Sequence, residues 1–107
     1  MGHTTSAAEL VASWAPGARV VKAFNTIGAQ HYHDPRFGDQ AADAFICGDD
    51  AEAKALAGRL AEDLGFEVVD VGSLAAARLL EPLALLWIRM AYVEGAGSNI
   101  AFKLLRK

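Results

Sequence analysis

With a single cysteine, Cys47, in 107 residues, this chain can form no internal disulfide, and its fold must rest on packing. No positively charged leader followed by an apolar stretch and small residues opens it, so nothing marks secretion and a cytoplasmic location is the expectation. Basic charge is scarce as well. Ten Lys and Arg stand against thirteen Asp and Glu, for a formal net charge of −3, and only residues 103–107 are locally basic. A field able to neutralise phosphates is missing, so no nucleic-acid partner is expected. Nor does any run reach the roughly 20 apolar residues of a membrane span. The most apolar stretch, residues 79–92, is interrupted by Glu81, Pro82 and Arg89. A further absence bears on chemistry: no G-x-G-x-x-G follows any apolar run. Gly95, Gly97 and Asn99 come after a helical stretch and read as a turn, so the chain has no usual cradle for a pyrophosphate.

What is present fits one soluble globular domain, with 53% hydrophobic and 21% charged residues. Ser6 and Glu9 make a capping-box pattern that starts a helix over residues 6–15, which Pro16 and Gly17 stop. Val20, Val21 and Phe24 mark a strand within residues 18–24, and a helical stretch around residues 27–33 follows. A loop over residues 33–40 leads to a second strand, residues 43–47, ended by Gly48. Asp49 is placed to cap the next helix, whose apolar face is marked by Leu56, Leu60 and Leu64 and whose end is Gly65. Residues 66–71 give a third strand, and Ser73 can cap a long helix beginning at Leu74. Short apolar strands alternating with helices predict an α/β fold with a parallel sheet. The chain opens on a helix and offers few strands, so a missing N-terminal portion is expected. Residues 74–92 are apolar nearly all round and must bury more than one face, with Pro82 bending the helix. A homodimer through this helix is the partner expectation.

In open α/β sheets ligands gather beyond the carboxyl ends of the strands. The residues there are Asn25-Thr26-Ile27, Gly48-Asp49 and Gly72-Ser73. The Asn25 amide has two donor hydrogens and one acceptor oxygen, suited to a nicotinamide carboxamide or a flavin-type carbonyl edge. Asn25 or Thr26 capping the next helix is the competing reading. Asp49 and Ser73 read as caps. His31, His33 and Asp34 lie close in sequence without a clear further ligand, and no metal site is expected. Cys47, inside an apolar strand, reads as a small buried hydrophobe, and no catalytic nucleophile is assigned.

Four segments carry a family likeness in order along the chain: Gly2-His3-Thr4-Thr5-Ser6-Ala7-Ala8-Glu9, Ala18-Arg19-Val20-Val21-Lys22-Ala23-Phe24-Asn25-Thr26-Ile27, Leu79-Leu80-Glu81-Pro82-Leu83-Ala84-Leu85-Leu86-Trp87-Ile88 and Asn99-Ile100-Ala101-Phe102-Lys103-Leu104-Leu105. Together they resemble the C-terminal half of the F-420-dependent NADP oxidoreductase family. The resemblance implies a partial Rossmann-like parallel sheet of about three strands with a C-terminal apolar helical segment. The division would fall between residues 1–73 and 74–107. It also implies NADP as cofactor, with the deazaflavin coenzyme F-420 or a related acceptor receiving hydride. By the same resemblance Asn25, Thr26 and Ile27 line the nicotinamide and deazaflavin cleft, and Ala29 matches a nearby NADP-contacting position. Asn at the position of Asn25 also occurs in a related Rossmann module of membrane ferric reductases, one that resembles pyrroline-carboxylate reductases. Hydride transfer between two cofactors needs no protein nucleophile, which agrees with the lack of any triad or paired-carboxylate pattern. A noncatalytic α/β module that dimerises through its apolar helix is the alternative.

Overall fold

The computed structural model describes residues 4–23 and 34–107. Helix α1, Ala7–Trp14, starts where Ser6 Oγ accepts from the Glu9 N–H at 3.2 Å and donates to Glu9 Oε1 at 3.0 Å. Strand β1, Val21–Lys22, follows the turn at Pro16 and Gly17. Where a plain loop was expected there is a small hairpin, β2 Arg36–Phe37 with β3 Gln40–Ala41. Its turn uses Gly38 at φ 67°, a left-handed conformation that costs glycine little, and the Arg36 guanidinium closes it by donating to the Asp39 carbonyl at 2.9 Å.

Strand β4, Asp43–Gly48, is the centre of a three-stranded sheet in the order β1-β4-β5, with β5 spanning Glu67–Asp70. β4 and β5 run parallel, in register from Asp43↔Glu67 to Ile46↔Asp70. β1 runs antiparallel to β4, with Val21 opposite Gly48 and Lys22 opposite Cys47. The three-stranded α/β expectation holds, with one of the two pairings reversed. An apolar run fixes that a segment is buried in a sheet and says nothing about its direction.

Side chains alternate across β4 and build a core on each face. On one face Cys47 packs with Ala8 of α1 and with Leu74, Ala77 and Leu80, while Val20, Phe45 and Leu83 close the margins. On the other face Ala42 and Ala44 meet Phe66 and Ala61. Ala61 belongs to helix α2, Ala51–Asp63. That helix begins one residue later than expected: Asp50, not Asp49, is its cap and accepts from the Ala53 N–H at 2.8 Å.

The leucine stripe of α2 faces outward, contrary to its expected role as the buried face. Leu56, Leu60 and Leu64 are 53%, 56% and 45% exposed, and the buried positions are Gly58 and Ala61. The cause is steric. A Cβ on Gly58 would lie 3.7 Å from Val68 and 3.8 Å from Ile46, so the helix backbone rides close on the sheet and only small residues fit beneath it.

The C-terminal part starts with a 3₁₀ turn, Leu74–Ala76, and continues as α3, Ala77–Ile88, and a π turn, Arg89–Val93. α3 carries Pro82 in its interior and continues past it. Ser73 stands at the cap position but its side chain makes no capping bond. Ala77, Leu80, Trp87 and Ala91 face the core, while Leu79, Leu85, Tyr92 and Val93 face solvent.

Candidate functional site

β1 runs antiparallel to β4, with Lys22 alongside Cys47, so it points toward the Asp43 end of β4, whereas Gly48-Asp49 and Gly72-Ser73 lie at the opposite end. Asn25, Thr26, Ile27 and Ala29 lie outside the described residues, as do His31, His33 and the helix expected around residues 27–33. What can be built from the residues upward is the frame that holds the exit of β1.

Glu81 on α3 is the centre of that frame. Its carboxylate accepts from the N–H groups of Ala7 and Ala8, at 2.8 and 3.2 Å, and pairs with Lys22 Nζ at 3.4 Å. One side chain thereby ties α1, β1 and α3 together. Burial alone would raise the Glu81 pKa, but the two backbone hydrogen bonds and the Lys22 ammonium outweigh it and hold the group below its ordinary value. A second tie joins the same helices: Arg78 donates from Nε and Nη2 to the two oxygens of Glu9, at 2.8 and 2.9 Å. Beside β1, Ala7, Lys22, Glu81, Pro82 and Leu85 line an open cleft of about 360 Å³. In the sequence Glu81 stood out only as an interruption of an apolar stretch. A charge on an otherwise apolar helix was the available signal, and its partners 59 to 74 residues away were not.

A helix N-terminus is a ready seat for a phosphate, since its first N–H groups and its dipole both favour an anion. Here the chain fills these seats itself. Glu81 occupies the start of α1, Asp50 that of α2, and Asp49 Oδ1 accepts from the Leu74 N–H at 2.9 Å where the C-terminal helical segment begins. Asp49 is thus a cap, as expected, but for a different helix. Among the described residues these helix starts are therefore not open to a pyrophosphate.

Other polar groups serve the framework. The Asp43 side chain, 1% exposed, pairs with Lys103 Nζ at 3.0 Å and accepts from the Leu104 N–H at 2.5 Å. Lys103 also reaches Glu67 at 2.6 Å, and the Trp87 indole donates to the Ile100 carbonyl at 2.8 Å, so the tail is bound to the sheet and to α3. Burial pushes the Cys47 thiol up, which suits a packing residue and not a nucleophile. Among the described residues no three His, Cys, Asp or Glu side chains come together as a metal site. No described helix is long and apolar enough to cross a membrane.

No family model matches the chain. Among curated proteins it is 46% identical over 84 residues to the metalloreductase STEAP3 of Rattus norvegicus, a match covering 78% of this chain and 17% of that protein. It is 36% identical over 84 residues to the metalloreductase STEAP2 of Homo sapiens, with the same coverage of 78% and 17%. The chain thus spans under a fifth of the length of these curated relatives. Among solved structures, a protein of Arthrobacter sp. FB24 provisionally assigned as an F420-dependent NADP reductase superposes with a TM-score of 0.88 at 36% identity, over 96% of this chain and 47% of its own. A hypothetical protein of Sinorhizobium meliloti superposes with a TM-score of 0.63 at 30% identity, over 97% of this chain and 45% of its own. The fold of the chain is thus shared with these structures, and the chain resembles the C-terminal half of the F-420-dependent NADP oxidoreductase family.

Proposed function

We propose that this chain is the acceptor-side part of an NADP(H)-dependent oxidoreductase, acting between NADP(H) and a deazaflavin coenzyme or a related acceptor. The observation that carries this reading is the close superposition, over nearly the whole chain, on a protein assigned as a reductase of that kind. The likeness to metalloreductases supports the oxidoreductase class and leaves the acceptor as the finer part of the proposal. When bound, NADPH supplies a hydride to the acceptor, which takes up one further proton as NADP⁺ is left.

The chain's own part is binding and alignment. Asn25, Thr26 and Ile27, beyond the end of β1, are the proposed contacts to the nicotinamide and the acceptor ring, and Ala29 is a proposed contact to NADP. β1 is held in place for this by its pairing with β4 and by the Lys22 to Glu81 bridge. With Asp and Glu side chains on the helix N-termini, the pyrophosphate is to be held by a glycine loop outside this chain. A cytoplasmic setting and a homodimer through the outer face of α3, where Leu79 and Leu85 are exposed, complete the proposal.

The test is a titration of the chain with NADPH, followed by nicotinamide fluorescence, alone and in the presence of a Rossmann half bearing the glycine loop. Saturable binding only with the added half, lost in Asn25→Ala, is the expected result. The exposed apolar face of α3 favours a second reading, a noncatalytic dimerisation module. A dimer by light scattering with no NADPH response in either titration establishes that reading instead.

A further inference from the structure

Lys22 carries a charge that the frame around β1 does not use up. Glu81 is already held by the N–H groups of Ala7 and Ala8, at 2.8 and 3.2 Å, and the Lys22 ammonium is the longest of its contacts, at 3.4 Å. An ammonium has three donors, and among the described residues Glu81 is the side-chain partner of Lys22. With the Lys22 side chain 24% exposed, the pair adds little to stability, and an apolar residue would pack this face of the sheet as well. Beside the pair lies the cleft of about 360 Å³, whose remaining walls are Ala7, Pro82 and Leu85. Pro82 presents a rigid ring without an N–H, and Leu85 stands one turn beyond Glu81 on the same side of α3. The cleft therefore joins one positive charge to an apolar wall, and its size is that of a small-ligand site.

We infer that this cleft is a subsite for a ligand carrying a single negative charge on an apolar body, with Lys22 holding the acid group and Pro82 and Leu85 supporting the body. The sign of the charge follows from the pair. Two N–H groups keep Glu81 in place without Lys22, so the ammonium is able to turn toward a ligand oxygen while Glu81 stays where it is. The restriction to one charge follows from Glu81 as well. Its carboxylate lies 3.4 Å from Lys22 Nζ and repels a second negative charge on anything that binds there. The apolar body follows from Ala7, Pro82 and Leu85, whose side chains offer no hydrogen bond. Lys22 closes β1 three residues ahead of Asn25, which sets the acid group close to the proposed ring contacts in sequence. On the redox reading, on which the identity of the ligand rests, the ligand is the acceptor, and the cleft selects an acceptor that is a monoanion.

The test uses the full chain, isotope-labelled and without nucleotide, with benzoate as the probe. Amide shifts in the NMR spectrum are expected to saturate with a Kd of about 1–10 mM and to be largest at Ala7, Ala8, Lys22 and Glu81. Lys22→Gln is expected to weaken binding about tenfold, and Lys107→Gln, at the exposed end of the tail, to leave it within about twofold. Benzamide has the same shape without the charge, and phthalate adds a second carboxylate. Each is expected to bind at least about fivefold more weakly than benzoate. This comparison is made on the wild-type chain, so it decides the matter even where Lys22→Gln does not fold. No saturation with benzoate, shifts centred on another face, benzamide or phthalate binding as tightly as benzoate, or binding that a folded Lys22→Gln leaves intact overturns the inference. If benzoate binds at Lys22 while the chain with an added Rossmann half ignores NADPH, the subsite stands and the redox proposal fails. If that pair binds NADPH while benzoate does not bind at Lys22, the redox proposal stands and this subsite is wrong.

Discussion

Glu81 offers the sharpest test of how the frame is held. In Glu81→Gln the shape is kept, one oxygen can still accept, and the charge is gone. The side chain is 19% exposed and its Lys22 partner 24%, so solvent screens the group only in part. Hydrogen bonds to a charged acceptor contribute about 1 kcal/mol more than neutral ones, and two backbone N–H groups are involved. The favourable charge at the N-terminus of α1 adds about 0.3–1 kcal/mol and the Lys22 pair about 0–1. Allowing for overlap between these terms, the loss is about 2 kcal/mol, which for a chain of this size lowers Tm by about 8–10 °C. Thermal unfolding by circular dichroism at pH 7 measures it directly. The pH dependence tests the cause. The Glu81 pKa is held below its ordinary 4.5, so its stabilisation is present above that value and is lost as pH falls through the folded-state pKa. Wild type and variant should therefore differ in full at pH 7 and converge as pH falls through the folded-state pKa. Equal Tm values at pH 7, or a gap that stays unchanged as the carboxylate is titrated with acid, would falsify the account of Glu81 as an ionised helix anchor.

Two further substitutions probe the packing. Gly58→Ala should stabilise by about 0.5–1 kcal/mol, because alanine is the better helix former and its Cβ meets Val68 and Ile46 at ordinary contact distance; a raised urea midpoint with an unchanged slope is the readout. Asp43→Ala should cost about 2–4 kcal/mol, since it strips Lys103 and the Leu104 N–H of a buried partner, and limited proteolysis should then remove the tail first.

How far the sequence could be read follows from the range of each interaction. Ser6 with Glu9 and the stop at Gly65 are local, and they mark helix ends that the structure keeps. The strand at Asp43–Gly48 was legible because both its faces are buried. The cap at Asp50 was missed by one residue, since two adjacent aspartates look alike until one of them is seen bonding to Leu74. The leucine stripe misled because periodicity identifies an apolar face without saying what covers it; Gly58 and Ala61, being small, carried no such signal and yet took the core. The direction of β1 and the partners of Glu81 and Arg78 depend on residues far apart in sequence, which no local pattern encodes. Of the candidate site, Asn25, Thr26, Ile27 and Ala29 were named from family likeness, while its described support, Lys22 and Glu81, emerged only with the fold.

The reversed β1 has a practical side for anyone who wishes to attach something to this molecule. A reporter dye or an inserted peptide placed after Gly72, where the backbone turns at φ 111° beside the exposed Ser73, would sit at the Gly48 end of β4, the end from which β1 runs away. In an all-parallel sheet β1 would instead run toward the same insertion. Here the label and the direction of β1 are kept apart.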